Sequence, residues 1–332
     1  MSKKYTGTWN SVNEHEVPKW YDGCKFGIFI HWGIYSVPAF APRTWELGAV
    51  ETNEEWFCNN PYAEWYYNSI NVGKGPSYEH HIEKYGKDFS YEDFLPMWKA
   101  ENWQPQKWAE LFRKSGAKYV VLTTKHHDGF CLWPTRYTSH SVVSSPWKNG
   151  RGDVVWEVSE ACRRYGMKFG IYLSPWDRNK PCYGSGKEYD DYYLAQLTEL
   201  LTGYGDIFSV WLDGACGEGP NGKKQLYDWK RYYECVRKYQ PDACICVCGP
   251  DIRWCGNEAG DVRKSEWSVV PARTALAESV QERSQQTDDK EFRMRRITSD
   301  MEDLGSRRAL EGETNLIWYP AEVNTSIRPG WF

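Results

Sequence analysis

Titratable side chains sit directly behind short apolar runs at three places in this 332-residue chain: His31 behind "GIFI", His126 and His127 behind "YVVLTTK", and Asp213 behind "VWL". A carboxylate leaving a buried strand is a candidate nucleophile or ligand, and Gly214 next to it removes the Cβ that would obstruct a close approach. Cleaving a glycosidic bond needs two carboxyl groups, one to attack or to activate water and one to protonate the departing oxygen. Glu258 in "WCGNEAG", Asp261 and Glu266 in "SEW" are the downstream candidates for the second. Glu258 lies in a glycine-bounded loop beside Trp254, and an apolar neighbour raises a carboxyl pKa so that the acid stays protonated near neutrality. Glu258 is therefore preferred as the acid; Glu266 is the alternative acid, or instead binds substrate or anchors the loop.

The histidines admit three readings: hydrogen bonds to sugar hydroxyls, ligation of a metal together with Asp213, or a structural role. Sugar binding is preferred, because the first run offers a single histidine and the adjacent His126 and His127 point to opposite faces if their strand continues. Trp32, Trp45, Trp65, Trp133, Trp176 and Trp331 stand near the same run ends or in the long segment 42–94, where aromatic faces suit the C–H faces of sugar rings. The 11 cysteines include no CxxC pair. Cys244, Cys246 and Cys248 alternate, which places all three on one face of a strand as buried thiols; structural zinc wants paired short spacings instead. Gly217, Gly219 and Gly222 reproduce a dinucleotide-binding spacing, but Pro220 interrupts it and no acidic residue follows at the required offset.

The elements that must position these groups are seven strand-length runs at 26–30, 119–123, 168–173, 207–212, 244–247, 267–270 and 316–318. Helix-period segments at 105–114, 154–165 behind a possible Asp153 cap, 189–201 and 225–238 alternate with them. Such alternation implies a parallel sheet with right-handed crossovers. A doubly wound sheet concentrates function at one switch point, whereas a (β/α)8 barrel gathers the C-terminal ends of all its strands at one mouth. Polar or aromatic clusters close nearly every run, so the expected fold class is α/β, a (β/α)8-like TIM-type barrel. The 42–94 segment is too long for an ordinary connection and is expected to be a lid or binding loop.

Lys and Arg number 41 against 45 Asp and Glu, a net charge of −4 without long blocks of one sign, which gives nucleic acid no electrostatic footprint. No apolar run approaches the roughly 18 residues of a membrane span. Residues 1–20 lack the apolar core of a secretory signal, so the expected location is cytoplasmic.

Together "KFGIFIHWGIYSVPAF", "EWYYN", "YVVLTTKHHDGFCLW", "GIYLSPWD", "VWLDGA", "GNEAG" and "WYPAEVNTSIRPGWF" resemble the α-L-fucosidases of glycoside hydrolase family 29, in the family's order. The resemblance implies a barrel that hydrolyses terminal α-L-fucose with retention of configuration, without metal or organic cofactor, on fucosylated oligosaccharides or glycoconjugates. By the same resemblance Asp213 is similar to the nucleophile, and Glu258 to the acid/base of the branch favouring α-1,3- or α-1,4-linked fucose. His31, His126, His127, Glu64 and Trp65 match positions that bind the fucose hydroxyls. Tyr172 matches a tyrosine near the nucleophile, and Trp331 an aromatic wall by the fucose methyl. Family members continue past "PGWF", so residues 1–332 are expected to form one catalytic barrel domain lacking its last helix and strand. The alternative is a non-catalytic fucose-binding fragment.

Overall fold

Runs of β-branched and aromatic residues pair best with one another when both faces are covered, and five of the expected runs do so here. The computed structural model describes residues 8–43, 52–255, 266–284, 286–287 and 304–326. In it β1 (Gly27–Ile30), β2 (Tyr119–Lys125), β3 (Lys168–Leu173), β4 (Ser209–Leu212) and β5 (Cys244–Val247) form one sheet in that order, every neighbouring pair parallel. Helices α1 (Pro105–Lys114), α2 (Val154–Arg164), α3 (Lys187–Gly203) and α4 (Trp229–Tyr239) fall between successive strands. The Asp153 side chain accepts the Trp156 N–H at 2.8 Å and fixes the start of α2 as expected. Helix α4 begins four residues later than the pattern suggests, behind Asp228, whose side chain accepts the Arg231 N–H.

A strand order that never reverses excludes the doubly wound alternative. The sheet also curls. In a flat sheet β1 and β4 would lie roughly 14 Å apart, three strand spacings, yet the rings of Phe29 and Trp211 approach to 5.3 Å between centroids. Phe29, Val121, Tyr172, Trp211, Cys244 and Cys246 thus share an enclosed interior, and Trp20 and Tyr21 pack against it. Alternate residues, including Val120, Leu122, Ile171, Val210 and Leu212, face the helices in a second buried layer. The chain is a (β/α)8-type barrel, with five consecutive strands of its wall among the described residues. Among the described residues no helix is long and apolar enough to cross a membrane.

Two expectations about strands are corrected. The 267–270 and 316–318 runs do not extend the parallel wall: β7 (Val269–Pro271) and β8 (Leu316–Trp318) pair antiparallel with each other. Pro271 has no N–H to give to a second neighbour, so its strand cannot sit in the middle of a sheet. A further parallel pair joins β6 (Arg253–Cys255) to β9 (Ala321–Val323). Cys248 does not share a face with Cys244 and Cys246, because Val247 adopts a φ of 69° and turns the chain, so Cys248 packs in the helix-side layer. The described part of segment 42–94 is no irregular loop; it carries the helices Asn53–Cys58, Tyr66–Ile70 and Pro76–Tyr85.

Candidate active site

Asp213 follows β4 by one residue, on the inward side of the wall set by Trp211. Tyr172, near the end of β3, donates its hydroxyl to Asp213 Oδ2 at 2.8 Å, and the Ala215 N–H donates to Oδ1 at 2.8 Å. Burial raises the Asp213 pKa above its ordinary value, and these two donors partly oppose the rise. Each oxygen keeps a lone pair for a further partner.

Three imidazoles cluster beside this carboxylate, with His127 facing it. His31 leaves β1, and its ring lies 5.5 Å from that of His126, which lies 4.1 Å from that of His127. His126 and His127 would point to opposite faces only if their strand continued; instead β2 shifts register after Thr123 and stops at Lys125. The chain then turns, with the Gly129 N–H donating to the His126 carbonyl at 3.0 Å. Gly129 is required in that turn: its φ is +78°, and a Cβ there would meet Asp177 Oδ1 at 2.5 Å.

Burial holds all three histidines well below the ordinary imidazole pKa, so they are neutral at pH 7. The tautomer of His127 follows from its neighbours. Ser174 Oγ donates its only proton to the Trp176 carbonyl at 2.7 Å, so the proton between Ser174 Oγ and His127 Nδ1, 2.6 Å apart, belongs to the imidazole. The bare Nε2 then faces Asp213 Oδ2 across 3.7 Å. Two acceptors bracket a gap suited to a hydroxyl that donates.

The 42–94 segment delivers Trp65 to the same place. Its indole meets the His127 ring at 4.7 Å and the Trp176 ring at 5.5 Å. Glu64 is buried, and its backbone takes a hydrogen bond from His126. Trp176 rests on the loop after Asp213: its Nε1 donates to the Glu218 carbonyl at 3.1 Å, and a Cβ on Gly217 would stand 2.2 Å from the ring. The glycine-rich spacing at 217–222 therefore makes room for an indole.

His31, Trp65, His126, His127, Tyr172 and Asp213 are thus brought together, with Glu64 joined through its backbone. Glu258, Asp261, Trp45 and Trp331 lie outside the described residues. Glu266 is held in an ion pair by Arg253, which fits the loop-anchoring reading. Trp254, expected beside Glu258, packs on Trp211 and donates to Asn324 Oδ1 at 2.6 Å.

Sequence reasoning missed a supporting layer. Lys125 Nζ, wholly buried, reaches Asp177 Oδ2 at 3.1 Å and Gln196 Oε1 at 2.9 Å. Asp128 accepts the Tyr91 hydroxyl at 2.7 Å, and burial pushes its pKa up to about 7. A lysine within an apolar run was the available signal for the first pair; nothing local announced the second. Among the described residues no group of three or more His, Cys, Asp or Glu is arranged to hold a metal.

Comparison with known proteins identifies the family. The family described as Alpha-L-fucosidase matches residues 1–290. Alpha-L-fucosidase 1 of Arabidopsis thaliana is 42% identical over 228 residues, 68% of this chain and 40% of the relative. The tissue alpha-L-fucosidase of Homo sapiens is 37% identical over 293 residues, 76% of this chain and 56% of the relative. The Thermotoga maritima alpha-fucosidase in complex with fucose superposes with a TM-score of 0.59 at 40% identity, covering 73% of this chain and 56% of that one. The chain therefore spans about half the length of the relatives it matches. A barrel wall with a fixed carboxylate after its fourth strand, matched by a profile running over most of the sequence, establishes that this chain belongs to the alpha-L-fucosidase family.

Proposed function

We propose that the chain is the catalytic part of a retaining exo-α-L-fucosidase, acting on terminal α-1,3- or α-1,4-linked fucose of oligosaccharides or glycoconjugates. The observation that carries this reading is Asp213 itself: a carboxylate fixed by Tyr172 and Ala215 and faced by the neutral His127 of a three-histidine cluster. Asp213 attacks the anomeric carbon while Glu258 protonates the departing oxygen; Glu258 then takes a proton from water, which releases fucose with its configuration kept. His127 Nε2 accepts a substrate hydroxyl, as its tautomer requires. The edges of Trp65 and Trp176 give the sugar an apolar wall. The fucose complex of the Thermotoga maritima relative supports the substrate class.

Asp213→Ala tests the reading. Hydrolysis of an aryl α-L-fucoside is expected to fall by several orders of magnitude and to be rescued by azide with formation of β-configured fucosyl azide. Full activity in that variant would end the proposal. Product chromatography of a Lewis-type trisaccharide beside a 2′-fucosylated one tests the linkage, with release expected from the first.

A further inference from the structure

A second hollow, of about 410 Å³, opens on the outer wall of the barrel between α2, α3 and the 133–137 turn, and none of its lining residues belongs to the cluster around Asp213. Its size falls in the range of small-ligand sites, roughly 300–1,000 Å³. Two large aromatic side chains line it while facing solvent, Trp156 at 47% exposure and Tyr137 at 43%. Lying at one hollow, the two rings offer a ligand apolar surface together.

The polar groups of the hollow are organised. Glu199 accepts Trp133 Nε1 at 3.0 Å on one oxygen and the Arg136 N–H at 3.1 Å on the other. Asp153 accepts the Trp156 N–H and, at 2.9 Å, the Tyr204 hydroxyl. The Val155 N–H also bonds Asp153, so both carboxylates are held in place, and the two Glu199 oxygens, with one donor each, keep acceptor capacity for a ligand. Thr202 spends its hydroxyl proton on the Thr198 carbonyl at 2.7 Å, so its oxygen can only accept a further hydrogen bond. Arg136 supplies exposed donors. Two carboxylates repel an anion, and a cation must compete with the Arg136 guanidinium, 3.9 Å from Glu199. A neutral, flat-faced ligand rich in hydroxyl donors meets every one of these groups.

We propose that this hollow is an accessory carbohydrate site, separate from the reaction centre, that binds a neutral segment of the glycan bearing the fucose. The proposal rests on the reading of the enzyme as glycan-directed. Its aromatic and carboxylate parts anchor the substrate body on the outer wall and leave the fucose-cleaving chemistry untouched.

The test is titration with lacto-N-tetraose, a neutral tetrasaccharide without fucose, followed by NMR, together with turnover of an aryl α-L-fucoside. Wild type is expected to bind, Trp156→Ala to bind about tenfold more weakly through loss of one stacked aromatic, and both to turn over the aryl fucoside equally. Tyr137→Ala, at another exposed position, is expected to weaken binding likewise. It decides the matter if Trp156→Ala disturbs the helix start, which circular dichroism reports. Absence of binding in wild type, binding unaltered in both variants, or binding of choline in place of the tetrasaccharide would overturn the proposal. Wild type that binds lacto-N-tetraose but never cleaves the aryl fucoside would instead defeat the catalytic reading and leave this site standing.

Discussion

At the scale of single residues, the Asp213 carboxylate is set by donors rather than by charge. The Tyr172 hydroxyl lowers the Asp213 pKa against the larger rise from burial. Tyr172→Phe therefore raises that pKa further, and since the proposed mechanism uses the ionised form as nucleophile, the acid limb of the kcat/KM profile should move to higher pH. Loss of a hydrogen bond to a charged group costs about 1.5–3 kcal/mol, roughly ten- to hundredfold in kcat/KM. A limb that stays in place would show that Tyr172 does not act on this ionisation. Ser174 works through His127, whose Nδ1 proton it receives. Ser174→Ala frees the imidazole to exchange tautomers; we expect kcat/KM to fall about five- to tenfold, the worth of one hydrogen bond, with Ser174→Thr restoring it. Nitrogen NMR of His127 should show a protonated Nδ1 in wild type and a mixture in the alanine variant; an unchanged spectrum would refute the assignment.

At the scale of elements, how each strand ends decides which side chains meet. The register shift at the end of β2 puts His126 and His127 into one cluster, and the left-handed Val247 after β5 sends Cys248 away from Cys246. Strand β5 is also tied to the N-terminal segment by a buried network around Asp251. Arg237 grips Asp251 with two bonds of 2.7 Å, His15 Nδ1 lies 2.8 Å from it, and the Ile245 N–H donates to it at 2.6 Å. Burial alone would raise the Asp251 pKa, but Arg237 and His15 outweigh it and hold the carboxyl well below its ordinary range. The depressed value means that its stabilisation is complete above the unfolded carboxylate pKa, about 3.9, and is lost as pH falls below it toward the folded value. Asp251→Asn should cost about 3–5 kcal/mol by leaving Arg237 buried without its charge partner. Thermal denaturation from pH 7 to pH 3 checks this: the gap between wild type and variant should narrow at the acid end, and a gap constant with pH would contradict the account.

At the scale of the whole molecule, the barrel exists because the interior rings hold a five-stranded sheet in a curl. Trp211 is central: it meets Phe29 and Tyr172, each at 5.3 Å, and donates Nε1 to Glu322 at 3.0 Å. Trp211→Ala should destabilise by about 3–5 kcal/mol and lower activity as well, because Tyr172 loses the ring that positions it under Asp213. Trp211→Phe keeps an aromatic ring against Phe29 and Tyr172 while removing the donor to Glu322 and part of the indole's bulk, so it should lose less stability than the alanine variant. Denaturant unfolding of the two variants measures the difference, and equal losses would show that the hydrogen bond rather than the packing holds the wall.

The sequence by itself determined the first five strands, the four helices between them, and the histidines and carboxylate at the strand ends, because alternation of apolar and polar residues is a local property set by strand and helix periods. It also determined the family, since the motifs appear in order along the chain. Tertiary structure alone decided the pairing of β7 with β8, the convergence of His126 with His127, the Lys125–Asp177 pair and the Asp128 environment. The strand pair, the Lys125–Asp177 contact and the Asp128–Tyr91 contact join residues far apart in sequence, and the two histidines meet through a register shift and turn set by pairing with the neighbouring strand; no local pattern encodes these. Pro271 is the instructive exception: its missing N–H was visible in the sequence, and it marks the place where the parallel wall gives way to an antiparallel pair.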